Sequence, residues 1–421
     1  FTLSVTFWGP IKYYNYNFLP VVLFMLLVII AVILGYYSNN LRPINKNIKR
    51  QKNNNENISK GLVLLYVKIC IIIALVLEML LFLDNIKTFN VMGINDIFNR
   101  IVNVGSTYKE VLQLQREITG TSTLGQFITL FGITKQVAII GAYYYRKDLQ
   151  FFRKIMYVFL IILILNTLAF NGQQKIFADL FIYMGSIMYI KKVHERKKVK
   201  NRGKILVLGL LIITVISFVQ LSRANTYGYS YTTFSTPYFS YNNEHFFYYL
   251  FGDKIGGALS SIFYYFSGGY YGLSKSISIP FEWTYGLGNS LALSSYATQY
   301  LGIPYMGDFT YVARAEEFTG YPALQYWSTI FPWLASDFTF PGTIILMFFI
   351  AKIYVKTWVE SIKKNNILSV LLFARLNIFW AFIPANNQIM QTRESAIATI
   401  VLVVIWLLYH KKTNYTIEKD R

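Results

Sequence analysis

Residues 18–37 read FLPVVLFMLLVIIAVILGYY. The stretch carries no charge, and its apolar residues neither alternate nor leave a polar face. A helix needs about 20 such residues to cross the hydrocarbon core of a bilayer. Only helices and closed barrels satisfy their backbone there, and barrel strands would alternate. The stretch therefore predicts a membrane-spanning helix. Six further runs read the same way: residues 62–83, 155–170, 205–221, 343–359, 367–384 and 396–409. Two weaker runs, 124–145 and the short 176–190 with Asp179 inside it, bring the set to about nine. The expected fold class is an all-α integral membrane protein, a polytopic helical bundle with about nine to ten spans. Residues 1–17 read as an interfacial stretch or the end of another span, with Trp8, Tyr13, Tyr14 and Tyr16 at headgroup level. Phe1 stands where a start methionine would, which implies residues ahead of it.

Composition agrees. Of 421 residues, 54% are hydrophobic and 14% charged, against about 25% charged in soluble domains. Lys and Arg total 40 against 20 Asp and Glu, a formal charge of +20. Such an excess fits either nucleic acid or membrane topology, and its placement decides. Basic clusters follow the first, third, fifth and seventh runs: Arg42 to Lys60, Arg146 to Lys154, Lys191 to Lys204, and Lys352 to Lys364. A last cluster, Lys411 to Arg421, follows the ninth. Cytoplasmic loops carry such an excess, so these loops and the C-terminus are expected in the cytoplasm. Nucleic-acid binding would need basic residues interleaved with aromatics on one soluble face. These loops hold few aromatics, and no nucleic-acid partner is expected.

The chain lacks GxxxxGK[ST], HExxH, CxxC and Asp-x-Asp patterns, which disfavours a soluble nucleotide or a metal. No cofactor is expected. The lone Cys70 makes neither an intrachain disulfide nor a zinc cluster. Three parts are expected. Residues 1–221 form about six transmembrane helices, and residues 333–421 form about three more and a cytoplasmic tail. Between them, residues 222–332 form a large extracytoplasmic loop, too long to be structureless. That loop holds about half of the 34 tyrosines, and its acidic residues outnumber its basic ones. Residues 255–267 and 290–300 are apolar enough for re-entrant or interfacial helices.

Candidate site residues lie on this outer side. Positive residues there run against the general bias. Arg223 follows the sixth run, Arg314 sits in the loop, Arg393 precedes the last run, Lys175 opens the fifth, and Arg375 lies inside the eighth. Each has two readings. One is snorkelling or a local ion pair, such as Arg393 with Glu394 or Arg314 with Glu316. The other is an anion site in which guanidinium groups clamp a phosphate. A charge inside the bilayer, as at Arg375, is expensive and is usually paired or functional. Candidate general bases are Glu316, Glu317, Asp337 and His245. Asp337 could equally serve the dipole of the following helix, and His245 could be an ordinary interfacial histidine. Tyr265, Tyr270, Tyr271 and Trp283 read either as an aromatic belt or as a platform for sugar rings.

The layout resembles the Wzy-type oligosaccharide repeat-unit polymerases, relatives of the O-antigen ligases within a glycosyltransferase C-like architecture. The pieces that carry the likeness are the turn 171–175, Gln220-Leu221-Ser222-Arg223 leading into the loop, residues 265–273, and Ser336–Gly342 opening the next span. Ligases carry a histidine just before that span, and residues 321–333 have none, which favours a polymerase. The family's turn often carries Arg where this chain has Lys175. The resemblance implies a bacterial cytoplasmic-membrane enzyme that needs no metal. It would transfer a growing glycan from undecaprenyl pyrophosphate onto a lipid-linked repeat unit, for capsule or lipopolysaccharide. Arg223, Arg314 and Arg393 would hold the pyrophosphate. The implied partners are that lipid-linked oligosaccharide, membrane lipid and a chain-length regulator protein. The rival readings are a transporter or flippase of lipid-linked oligosaccharide and a ligase-type glycosyltransferase.

Overall fold

A computed structural model of the chain describes residues 1–39, 54–117, 123–172, 175–195, 202–322, 324–363 and 365–419. The basic segment 40–53 and most of 196–204 fall partly or wholly outside these residues.

Helices account for most of the described chain. The first five are α1 (Thr2–Trp8), α2 (Leu19–Tyr37), α3 (Asn54–Thr88), α4 (Ile94–Val102) and α5 (Val104–Glu117). Then come α6 (Thr123–Thr129), α7 (Gly132–Gln136), a π-helical turn over Val137–Gly141, and α8 (Ala142–Tyr144). Next are α9 (Phe151–Leu165), α10 (Thr167–Asn171), α11 (Lys175–His194) and α12 (Arg202–Tyr227). The chain closes with α13 (Phe246–Ser276), α14 (Leu291–Leu301), α15 (Tyr311–Thr319), α16 (Phe331–Lys363), α17 (Ile367–Ala381) and α18 (Arg393–Lys419). Among the described residues, five helical stretches are long and apolar enough to cross a membrane: Leu19–Tyr37, Lys60–Thr88, Phe151–Phe170, Phe331–Lys363 and Arg393–His410. The chain is therefore a helical membrane protein. The run at 124–145 is broken into α6, α7, the π turn and α8 rather than forming one straight helix.

The bundle core joins Val21 and Val28 of α2, Ile71 of α3, Ile140, Leu160 of α9, Ile187 of α11, Met347 of α16 and Leu372 of α17. Leu, Ile and Val on opposite faces of α2 explain its weak amphipathicity: one face meets protein, and Leu23, Leu27 and Ile30 face outward at about half exposure. A soluble helix would put charge there. Gly35 lets α2 close on α16, since a Cβ would meet the Phe348 carbonyl.

A second, aromatic core sits on the 228–330 segment. Tyr13, Phe239, Tyr264, Tyr271, Tyr321 and Trp333 are buried together. It is pinned by a two-stranded antiparallel ribbon absent from the sequence reading, β1 (Ile11–Tyr13) with β2 (Phe239–Tyr241). Alternation explains β1: Ile11 and Tyr13 point inward and Lys12 outward. Residues 1–17 thus pack onto the large segment, with Thr2 Oγ1 2.7 Å from the Tyr270 hydroxyl. Gly269 is forced by close approach, since a Cβ there would overlap the Pro384 carbonyl.

One break positions the site. Thr339 has φ 62° and ψ 165° and divides α16 in two. That conformation costs a non-glycine residue about 1–3 kcal/mol. Two local bonds offset it. Thr339 Oγ1 accepts from the Gly342 amide at 3.2 Å, as an N-cap does, and Thr343 donates to the Thr339 carbonyl at 2.8 Å. Pro341 lies in the first turn of the new helix, where a missing amide is harmless. The buried half, 331–338, ends facing the loop that follows α13.

Candidate functional site

Asp337 is 7% exposed and anchors residues 284–289. Its Oδ1 accepts from Thr284 Oγ1 at 2.5 Å, the Gly286 amide at 2.9 Å and the Gly288 amide at 3.1 Å. Its Oδ2 accepts from the Asn289 amide at 2.9 Å and Asn289 Nδ2 at 2.5 Å. The amides converge because Tyr285 (φ 52°) and Gly286 (φ 83°) are left-handed, the backbone habit of an anion-binding nest. The chain's own carboxylate fills this nest. Every favourable lone-pair direction is in use, so abstracting a substrate proton would require breaking the clamp. The dipole role is not what the fold shows for Asp337 either, because Thr339 caps the helix that follows.

The clamped loop presents Trp283 and Tyr285, their rings 4.7 Å apart at 33° and 56% and 66% exposed. They form an open aromatic surface on a rigid mount. Tyr270 and Tyr271 offer none: both are 1% exposed. Tyr271 stacks on Tyr13 and donates to the Tyr14 carbonyl at 2.8 Å. Tyr265 accepts from Gln220 Nε2 at 3.0 Å and packs on Trp327.

Four of the cations are held at separate places in the fold. Arg314 is buried, donates to the Pro280 carbonyl at 2.9 Å and pairs with Glu282 at 3.3 Å. It thereby ties α15 to the loop bearing Trp283; its partner is Glu282 rather than Glu316. Arg393 lies over the Tyr296 ring at 4.6 Å. Glu394 meets Lys135 at 3.4 Å. Lys175 pairs with Asp179 at 2.6 Å. Arg375 is 3% exposed and saturated: it donates to Thr399, the Tyr183 hydroxyl, the Ile389 and Ser395 carbonyls and the Ser395 hydroxyl. It holds α17 to α11 and to the start of α18.

Arg223 differs. Its guanidinium lies 4.1 Å over the Tyr108 ring and donates one bond, 2.9 Å, to the Gly172 carbonyl. Its Nε is buried without an acceptor, and no carboxylate pairs with it among the described residues. Arg100 reaches the same short helix, donating to the Ala169 carbonyl at 3.0 Å while pairing with Glu110. The end of α10 is therefore met by both Arg100 and Arg223.

Glu316 and Glu317 are exposed on α15, one turn from Arg314. His245 caps α13, its Nδ1 accepting from the Phe247 amide at 3.4 Å. Partial burial pulls its pKa below the ordinary histidine value. Among the described residues no group of three His, Cys, Asp or Glu is placed to hold a metal ion.

Sequence reasoning passed over several members. Lys135 is paired with Glu78 at 2.6 Å and with Glu394, and its only signal was a cation in a weak apolar run. Tyr108, Tyr296 and Asn289 carried no signal, since their roles depend on chain segments far away in sequence. No protein-family model matches the chain, and no match was found among curated proteins or among solved structures.

Proposed function

We propose that the chain is a glycan polymerase of the cytoplasmic membrane, acting on its outer face on a lipid-pyrophosphate donor. In this reading nine stretches cross the bilayer: α2, α3, the broken α6–α8 run, α9 with α10, α11, α12, the second half of α16, α17 and α18. The 228–330 segment then lies outside, with the C-terminus in the cytoplasm. The observation that carries the reading is Arg223, a cation at the outer end of a helix with an unused buried donor and, among the described residues, no paired carboxylate. Such a guanidinium suits a phosphate oxygen. Lys175, Arg100 and the neighbouring turn add positive field. Trp283 and Tyr285 would seat the acceptor sugar, and Arg314 holds that loop beside the acidic end of α15.

The chemistry would run as follows. The acceptor hydroxyl attacks the anomeric carbon of the donor glycan, its proton passing to an exposed carboxylate, Glu317 or Glu316. The anomeric C–O bond breaks, and lipid pyrophosphate leaves with its charge met by Arg223. The donor is already activated, so no nucleotide takes part in this scheme.

The test is chain length in cells producing Arg223→Ala or Arg223→Lys. Arg223→Ala should abolish long polymer while the protein still inserts, and Arg223→Lys should recover part of it. Polymer of normal length from Arg223→Ala would refute the proposal. One observation favours a second reading, a flippase: a buried Lys135 between Glu78 and Glu394, on a broken helix, is the kind of feature transporters place in a pathway. A flippase would move lipid-linked repeat units between leaflets of a vesicle without lengthening them.

A further inference from the structure

At the opposite end of the bundle from Arg223 there is a half-open cavity of ≈ 720 Å³. It is walled by Tyr36 of α2, Gly185 and Tyr189 of α11, Tyr354 and Trp358 of α16, and Phe373 of α17. Its origin is geometric. Helix α2 ends at Tyr37, and its neighbour Asn39 already donates to the Lys352 carbonyl at 3.1 Å. Helix α16 continues to Lys363, so the described part of α2 leaves its last turns uncovered. Gly185 widens the gap by carrying no side chain.

The wall is built from ring faces. Tyr189 stacks on Trp358 at 5.2 Å, and Phe373 lies 5.0 Å from Trp358 and 4.9 Å from Tyr354. The rings offer apolar faces, and three polar side chains of the wall, Tyr354, Asn377 and Ser186, are tied to one another. Tyr354 donates to Asn377 Oδ1 at 2.6 Å, and Asn377 Nδ2 donates to Ser186 Oγ at 2.8 Å. The interior therefore asks for a hydrocarbon occupant. The rim does not: among the described residues the one charged member of the lining is Lys363, the exposed last residue of α16, and no carboxylate faces the cavity. Glu360, one turn back, is turned away onto His410 at 2.6 Å and Ser369 at 2.7 Å.

We infer that this cavity binds one acyl chain of an anionic phospholipid, with the headgroup phosphate at Lys363. An apolar slot with a single cation at its rim, at the end of a membrane helix, matches that amphiphile in both shape and charge. Aromatic side chains and lysines at the level of the headgroups are how membrane proteins meet the interface. The volume lies within the range of ordinary small-ligand pockets. The inference needs only a chain embedded in a bilayer and does not depend on the polymerase reading.

The experiment uses the full chain in phosphatidylcholine vesicles containing brominated phosphatidylglycerol or, at the same mole fraction, brominated phosphatidylcholine. Bromine quenches tryptophan on contact. The Trp358 signal is obtained by difference from Trp358→Phe, which keeps a ring in the wall. Phosphatidylglycerol should quench Trp358 at mole fractions well below those that phosphatidylcholine requires. Gly185→Leu should remove that excess, because a Cβ at Gly185 meets nothing within 4 Å and the side chain would grow into the slot. Lys363→Gln should weaken the preference roughly fivefold, the effect of one cation near an anionic surface. An unchanged far-UV spectrum and elution volume would show that both variants fold. Equal quenching by the two lipids, untouched by Gly185→Leu, would overturn the inference and indicate ordinary boundary lipid. Absence of Trp358 quenching would also overturn it, as expected if another segment of the chain fills the slot.

Discussion

Replacing Asp337 tests whether its carboxylate holds a loop or moves a proton. Asp337→Ala removes the acceptor for three backbone amides, a threonine hydroxyl and a side-chain amide. Thr284 keeps a partner, because its hydroxyl also reaches the Ser336 carbonyl at 2.8 Å. Gly286 is exposed enough for water to replace the lost bond. The Gly288 and Asn289 donors are buried, and each buried donor left unpaired costs about 1–3 kcal/mol. With partial relaxation the loop should lose about 3–5 kcal/mol of local stability. Asp337→Asn keeps one acceptor oxygen but turns an NH2 on the remaining donors, so about 2 kcal/mol is expected. Hydrogen exchange followed by mass spectrometry reads this directly. Peptides covering residues 284–290 should exchange roughly 100-fold to 4000-fold faster in Asp337→Ala, and less so in Asp337→Asn. An anchoring role is refuted if both variants keep wild-type exchange and thermal stability while the proposed polymer synthesis is lost. That outcome would assign the carboxylate a chemical role.

Lys135→Met should destabilise the protein by about 3–5 kcal/mol, because it leaves Glu78 buried beside Glu394 without their shared cation. Adding Glu78→Gln should recover part of the loss in a detergent thermal melt, and no recovery would contradict the pairing. Trp283→Ala and Tyr285→Ala should each change stability by no more than about 0.5 kcal/mol, since both side chains are largely exposed. On the polymerase proposal they should nonetheless weaken binding of a lipid-linked oligosaccharide, measured by titration calorimetry. His245 should make the start of α13 acid-sensitive. Its folded pKa is depressed, so the unfolded chain takes up its proton first as pH falls below about 6.5. Stability is therefore full above that pH and declines below it, by about 1 kcal/mol for one cap. Exchange of the Phe247 amide at pH 8 and pH 5 measures the effect, and His245→Asn, an effective cap without a titration, should abolish it.

The membrane class was legible because it follows from composition along single segments. Runs such as 18–37 can be satisfied only as helices in lipid, wherever the rest of the chain goes. The breaks were less legible. Thr339 and Pro341 mark one in hindsight, but nothing local shows that the positive φ at Tyr285 and Gly286 turns the Gly286, Gly288 and Asn289 amides toward a carboxylate some fifty residues away. The arginines make the same point. By sequence, Arg223, Arg314 and Arg393 are equivalent outer cations, and Arg375 stands apart only as a charge inside an apolar run. Packing separated them, because a guanidinium's availability depends on which carbonyls, rings and carboxylates the fold brings within about 3–4 Å. Arg375 became a saturated tie and Arg314 a brace, while Arg223 kept an unused donor. The tyrosines divided likewise: Tyr270 and Tyr271 went into the core, and Trp283 stayed open. Sequence alone thus determined that this chain lives in a bilayer, since transfer into lipid is a property of each segment. Which of its polar groups remain free to meet a ligand was decided only by tertiary structure, since that depends on pairwise geometry across the whole chain.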